Sequence, residues 1–304
     1  MIKKIEIRNL NFSKRKQNIL KNINLDLSSG LIYGLIGENG AGKSTLMKTI
    51  THLIYNYKGS ISYLNENNQK LKSYYAKLFM SSIIEQPEFY TYLSGIQNIK
   101  QFLSLYNQNN SRDKEKMTFF LELFEMDKYK HKKVKNYSLG MKQKLGLIQA
   151  LIIEPKVLVL DEPFNGLDPT SILTLKNYIF NLKSEGCIVL ISSHLLSELE
   201  GLCDNIIFLK KGSVLFNDKI NNIEISQTYS LEVDKLFLAS KHLSNQGYNV
   251  KKTQELLTIE CSKSEISSIV KNLCISGYQV FSVIPKNENI ESIFLKYNDT
   301  EVLK

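Results

Sequence analysis

The segment Gly37-Glu38-Asn39-Gly40-Ala41-Gly42-Lys43-Ser44 matches the spacing G-x-x-x-x-G-K-[ST] in full. Each position has a physical reason. The glycines let backbone N–H groups close around phosphate oxygens, and a helix opening at Lys43 adds its positive dipole end. The lysine ammonium reaches the terminal phosphates, and the Ser44 hydroxyl can ligate Mg²⁺. The run Leu158-Val159-Leu160-Asp161-Glu162 then supplies two carboxylates at the end of an apolar strand. Asp161 is placed to hold the hydration shell of Mg²⁺, and Glu162 to polarise a water as general base. The chemistry these residues point to is hydrolysis of a bound polyphosphate.

Such groups need elements to carry them. Leu31 to Ile36 reads as a strand ending in the glycine turn, and Lys43 to Ile50 as the helix that follows. Val157–Leu160 and Ile188–Ile191 are continuously apolar, as strands buried on both faces of a parallel sheet are. The predicted core is α/β. Shorter runs at 5–7 and 19–27 read as further strands. From Gly95 to Lys135 apolar residues fall at helical spacing instead, with a polar break at Asn107–Asp113 and a basic run at Lys128, Lys130, Lys132, Lys133 and Lys135. The basic run is expected to be a solvated face, with contact to an acidic lipid surface the lesser reading. After Asn222 the rhythm changes to β-α-β-β-α-β, followed by a last helix from Ile290 to Tyr297. The expected domains are therefore 1–222 and 223–304, the second a small split-βαβ type.

At 304 residues the chain is long enough for two domains, and its 43% hydrophobic and 23% charged residues exclude large-scale disorder. The most apolar stretch, Ala150–Leu160, is interrupted by Glu154, Pro155 and Lys156, so no membrane span of about 20 apolar residues is predicted. The start, with Glu6 and Arg8, has no signal-peptide character, so the expected location is cytoplasmic. Cys187, Cys203, Cys261 and Cys274 form no metal-binding spacing and read as small buried hydrophobes. A net charge of +9 is consistent either with an anionic partner or with a Lys-rich background that needs none.

The segment Asn136-Tyr137-Ser138-Leu139-Gly140-Met141-Lys142-Gln143 lies just before the carboxylate strand. With it, the chain resembles the ATP-binding cassette (ABC) ATPases over residues 2 to about 220. The motifs come in the family's order: phosphate loop, Gln86 in Ile84-Glu85-Gln86-Pro87, signature segment, Asp161-Glu162, Asn165-Gly166-Leu167-Asp168, and His194 after Ile191-Ser192-Ser193. The resemblance implies a P-loop nucleotide-binding domain with a helical subdomain at about 88–137, and ATP with Mg²⁺ as ligands. It implies that Phe12 stacks on adenine and that Gly37, Asn39, Gly40, Ala41, Gly42, Lys43, Ser44 and Thr45 cradle the phosphates. Gln86 would reach Mg²⁺ and the lytic water, and His194 the γ-phosphate.

The family's usual Leu-Ser-Gly-Gly-Gln is altered here, but Ser138 and Gly140 are retained. They are expected at ATP bound by the opposite member of a head-to-tail dimer, and Asp168 is expected among the nucleotide-binding residues. A separate multi-span permease is expected to dock near Gln86 and residues 88–105, keeping the chain on the inner face of the cell membrane. The wording of the motifs is similar to bacterial export cassettes for drugs and peptide antibiotics, of the bacitracin and lantibiotic immunity type. Two alternatives differ in class. A nucleic-acid or ribosome remodeller of this family carries two cassettes or a long inserted coiled coil, and no recognition helix is seen here, so no nucleic acid is expected. A non-hydrolysing regulatory module conflicts with the presence of Glu162 and His194.

Overall fold

The computed structural model describes residues 2–106, 111–220, 227–253 and 255–286. In the first of two units, Met1–Ile220, β1 (Lys4–Lys14) and β2 (Gln17–Ser28) largely alternate buried and exposed residues. One face of such a sheet packs on a core and the other meets water. β3 (Ile32–Ile36) and α1 (Lys43–Ile50) follow, then β4 (Lys58–Leu64), β5 (Lys70–Leu71), α2 (Ser73–Lys77) and β6 (Met80–Ile83). β1, β2, β4 and β5 form one antiparallel sheet in the order β2-β1-β4-β5.

The helical region holds α3 (Gly95–Ser104), α4 (Ser111–Leu123) and α5 (Leu139–Ile152). A reciprocal capping box starts α3: the Ser94 hydroxyl accepts from the Gln97 N–H, and the Gln97 side chain accepts from the Ser94 N–H. The polar break read at 107–113 is shorter than expected. Ser111 to Asp113 form the first turn of α4, where an aspartate complements the helix dipole. Of the basic run, Lys130 pairs with Asp127 at 2.7 Å and the other four lysines are exposed.

The chain then alternates through β7 (Val157–Leu160), α6 (Pro169–Ser184), β8 (Ile188–Ser193), α7 (Leu196–Leu199), β9 (Asn205–Lys210) and β10 (Ser213–Lys219). β3, β7 and β8 are buried at every residue, as their apolar runs require, with Ser192 and Ser193 at the end of β8 buried as well. The six strands order as β10-β9-β3-β8-β7-β6, parallel except for the β9–β10 pair. Ile83 lies opposite Leu160, Leu160 opposite Ile191, and Ile36 opposite Ser193. The carboxyl ends of β6, β7, β8 and β3 are therefore nearly level, and the segments that leave them meet at one edge, where open parallel sheets take their ligands.

The second unit, Asn221–Lys304, contains β11 (Gln227–Val233), α8 (Leu236–Asn245), β12 (Val250–Lys252), β13 (Leu257–Cys261), α9 (Lys263–Ile275) and β14 (Val280–Lys286). Its antiparallel sheet runs β12-β13-β11-β14, around a core of Leu231, Leu243, Leu257, Ile259 and Leu273. The helix expected at Ile290–Tyr297 lies outside the described residues, as do 107–110 of the polar break and the boundary near 222. Burial pushes the thiols of Cys187 and Cys203 up to about 12 and that of Cys261 to about 11. Cys274 corrects the sequence reading: it is exposed. The buried stripe of α9 runs through Ile266, Ile269 and Leu273, and the next residue turns about 100° away from it.

Candidate active site

β3 delivers the chain into the glycine loop, where Gly40 and Gly42 adopt φ of 82° and 108°. A side chain would be strained in that backbone, whereas glycine is not. Gly42 caps α1 without any side-chain acceptor, so the first-turn N–H groups point into the loop and suit an anion. Lys43 is buried; its Nζ donates to the Gly37 carbonyl at 2.7 Å and stands 3.7 Å from Glu162 Oε1.

The carboxylates arrive from β7. The Asp161 N–H donates to the Ile83 carbonyl at 2.8 Å. Ser192 of β8, fully buried, donates from Oγ to Asp161 Oδ1 at 2.5 Å and accepts the Glu162 N–H at 2.8 Å. One hydroxyl thus fixes both acids. Glu162 has a left-handed φ of 48°, a conformation that costs about 1–3 kcal/mol and persists only where the surroundings dictate it. Its carboxylate is spread between Lys43 and His194, whose Nδ1 lies 2.7 Å from Glu162 Oε2. A carboxylate held by two such neighbours, with its remaining lone pairs facing a cavity, can accept a proton from water there.

That cavity measures about 370 Å³ and is lined by Gln17, Ile19, Glu38, Asn39, Gly40, Gly42, Lys43, Ser44, Thr45, Asp161 and Glu162. Among the described residues no three His, Cys, Asp or Glu side chains form a metal cage. Ser44 and Asp161 instead offer a sparse oxygen set in one cavity, which fits an ion such as Mg²⁺ that is held mainly by phosphate oxygens and water. Ala41 is buried under the loop.

Other expected residues lie elsewhere. Phe12 is a correction: it is only 7% exposed, belongs to the hydrophobic core and does not line the cavity, where Gln17 and Ile19 stand instead. Irregularities in the β1–β2 register on either side of Leu10 keep both Leu10 and Phe12 on the core face. Gln86 lines a different cavity of about 380 Å³, with Leu53, Pro87, Gly146 and Gln149. The preceding Glu85 has a φ of 67° and holds Lys48 of α1 at 2.6 Å, which sets the direction in which Gln86 leaves.

Ser138 caps α5, its hydroxyl accepting the Met141 N–H at 3.2 Å. Neither it nor Gly140 lines the phosphate cavity of its own chain. Asp168 caps α6 through the Ser171 N–H and pairs with Lys144 at 2.8 Å. Sequence reasoning passed over Ser192, although it lies in the quoted Ile191-Ser192-Ser193 run. It also passed over Gln17 and Ile19.

Comparison with known proteins agrees with this geometry. Residues 20–165 match the family described as ABC transporter. The ABC transporter ATP-binding protein YhcH of Bacillus subtilis is 34% identical over 96% of this chain and 95% of its own. The bacitracin transport ATP-binding protein BcrA of Enterococcus faecalis is 33% identical over 96% and 95%. The lantibiotic transport ATP-binding protein SrtF of Streptococcus pyogenes is 40% identical over 72% of this chain and 93% of its own. Among solved structures, an ATP-binding subunit of an ABC transporter superposes with a TM-score of 0.67 at 28% identity, covering 74% of this chain and 92% of that one. Full-length identity at this level, together with a phosphate loop and a braced carboxylate pair on one cavity, places the chain in the ABC transporter ATP-binding family, whose members hydrolyse ATP to power a separate membrane permease.

Proposed function

We propose that two copies of this chain close head to tail over two Mg²⁺–ATP and that the cycle of closure and hydrolysis drives export of a drug or peptide antibiotic. The observation that carries this reading is the convergence of Lys43, Asp161 and Glu162 on one cavity, with His194 held against Glu162 at 2.7 Å. Ser44 and Asp161 would hold Mg²⁺, which would supply positive charge against that developing on the phosphates. Glu162 takes the proton of the attacking water, and His194 orients the carboxylate and, on closure, the γ-phosphate. Ser138 and Gly140 act on ATP of the facing copy, which agrees with their absence from their own cavity. Leu139 between them is 61% exposed, an apolar surface that such closure would cover. Asp168 belongs to the same surface.

The permease docks at the groove walled by Gln86, Pro87 and residues 88–105. Two cavities there, of about 360 and 380 Å³, share Glu88, Phe102 and Gln149, and Tyr90, Tyr92 and Leu105 are more than half exposed. Docking holds the chain at the inner face of the membrane; among the described residues no helix is long and apolar enough to cross it. The peptide-antibiotic cargo follows the names of the bacitracin and lantibiotic relatives. The 223–304 domain is an accessory, regulatory part.

The test uses Glu162→Gln, recovered with bound ATP from detergent-solubilised membranes of the source cells. A stoichiometric co-purifying protein with several membrane spans supports the reading. Ribosomes or nucleic acid in its place would move the function to the remodelling class.

A further inference from the structure

One face of α5 lies along the loop that follows Glu162. At its first turn Gly140 approaches Gly166 so closely that an added Cβ would stand 2.6 Å from the Gly166 carbonyl oxygen. The buried Gln143 donates from Nε2 to the Pro163 carbonyl at 3.3 Å, immediately after Glu162. Beside it Lys144, with 12% of its side chain exposed, pairs with Asp168 at 2.8 Å. Residues 140, 143 and 144 share a helix face by their spacing. The loop from Pro163 to Asp168 is therefore held at its start, middle and end by one rigid element.

This bears on Glu162 because its backbone is in a costly conformation. Ser192 fixes the N–H before the carboxylate, and Gln143 fixes the first carbonyl after it. The peptide unit before the Glu162 Cα is thus tied to β8, and the Pro163–Phe164 unit, one residue beyond it, is tied to α5. Release of either tie lets φ relax, which swings the carboxylate away from Lys43 and His194.

We propose that Gln143 and Lys144 are positioning residues for ATP hydrolysis: through them α5 sets where the Glu162 carboxylate stands over the cavity. The inference rests on the reading of Glu162 as the general base. Neither residue lines the phosphate cavity, so both act on turnover and not on ATP affinity. Because α5 begins at Ser138, the same helix ties the base of one site to the serine that serves the other.

The test compares full-length wild type, Gln143→Glu, Lys144→Met and Lys144→Arg. Gln143→Glu keeps the shape and replaces the donor with an acceptor. Gln143→Glu and Lys144→Met should each lower kcat about three- to ten-fold, the loss of one hydrogen bond or ion pair, with equilibrium ATP affinity within about two-fold. Lys144→Arg should restore kcat. Wild-type kcat in both single variants would overturn the proposal. So would equal losses in kcat and ATP affinity without rescue by arginine, since that is what a purely structural role produces. Glu162→Gln is the control: if it turns over like wild type, the base itself is misassigned, whereas an inactive Glu162→Gln beside unaffected Gln143 and Lys144 variants removes only the brace.

Discussion

The two units are built with the same devices, apolar strands and capped helices, yet only one gathers chemistry. In the first, β6, β7, β8 and β3 run parallel with their carboxyl ends level. Everything that follows them, Gln86, Asp161, His194 and the glycine loop, leaves from the same edge. In the second, the strands pair antiparallel throughout, so their connections go to opposite ends and the polar residues disperse. Its core of Leu231, Leu257 and Ile259 is as fully buried as that of the first, but strand direction, more than burial, decides whether loops converge into a site.

The comparison breaks first at Glu162. Glu162→Gln should lower kcat by about 10²–10⁴-fold, the usual span for a general base, and leave ATP bound. Steady-state turnover beside equilibrium nucleotide binding measures both. A variant that loses binding and turnover together would make Glu162 part of the phosphate cradle, held there by Lys43.

Next in size is a cavity in the other unit. Ile259 of β13 is fully buried in the core of that unit, and Ile259→Ala should destabilise the unit by about 2–5 kcal/mol. ATP affinity of the first unit should not change if the unit's role is accessory. Urea unfolding followed with and without ATP separates the two transitions. Equal loss of ATP affinity would show that the second unit shapes the nucleotide site.

Ser192→Ala sharpens the first-unit side. It leaves the Glu162 N–H and one Asp161 oxygen without their partner, and each buried unpaired group costs about 1–3 kcal/mol. Turnover should fall by roughly ten- to a hundred-fold, and a higher Mg²⁺ concentration should be needed for half-maximal rate. Unchanged Mg²⁺ dependence would show that Ser192 serves Glu162 alone.

Much of the first unit was legible because its signals are local. The glycine loop declares its own backbone, the helix read at Lys43–Ile50 is α1 to the residue, and continuous apolar runs announced β3, β7 and β8. What the sequence hid depends on distant partners. Gln86 is turned toward the groove by a left-handed Glu85 that holds Lys48, 37 residues earlier. Phe12 faces inward with Leu10, two residues before it, because the irregularity between Ile7 and Leu10 shifts the phase of alternation in β1. β4, β5, β6, β9 and β10 went unread, the first because Lys58-Gly59-Ser60 begins it with no apolar residue. In the second unit Cys274 misled because one apolar residue beside a stripe looks like part of it.

The smallest expected effect concerns Asp168. The Lys144 ammonium first, and the Ser171 N–H with it, hold this carboxyl well below the usual carboxylate range. A depressed native value means that the carboxylate stabilises the fold fully above its unfolded pKa of about 3.9, and that the contribution disappears as pH falls through the lower native value. The side chain is 47% exposed, so solvent screens the pair and its worth stays under about 1 kcal/mol. Asp168→Asn keeps the helix cap and removes the charge. Its stability should therefore trail wild type by that small amount from pH 7 down to about pH 4, and the gap should close as the wild-type carboxyl protonates below that. Urea midpoints of the ATP-sensitive transition across this range measure it. A gap that stays constant with pH would assign the difference to the cap, and leave the Lys144 ion pair without a share in holding α5 to α6.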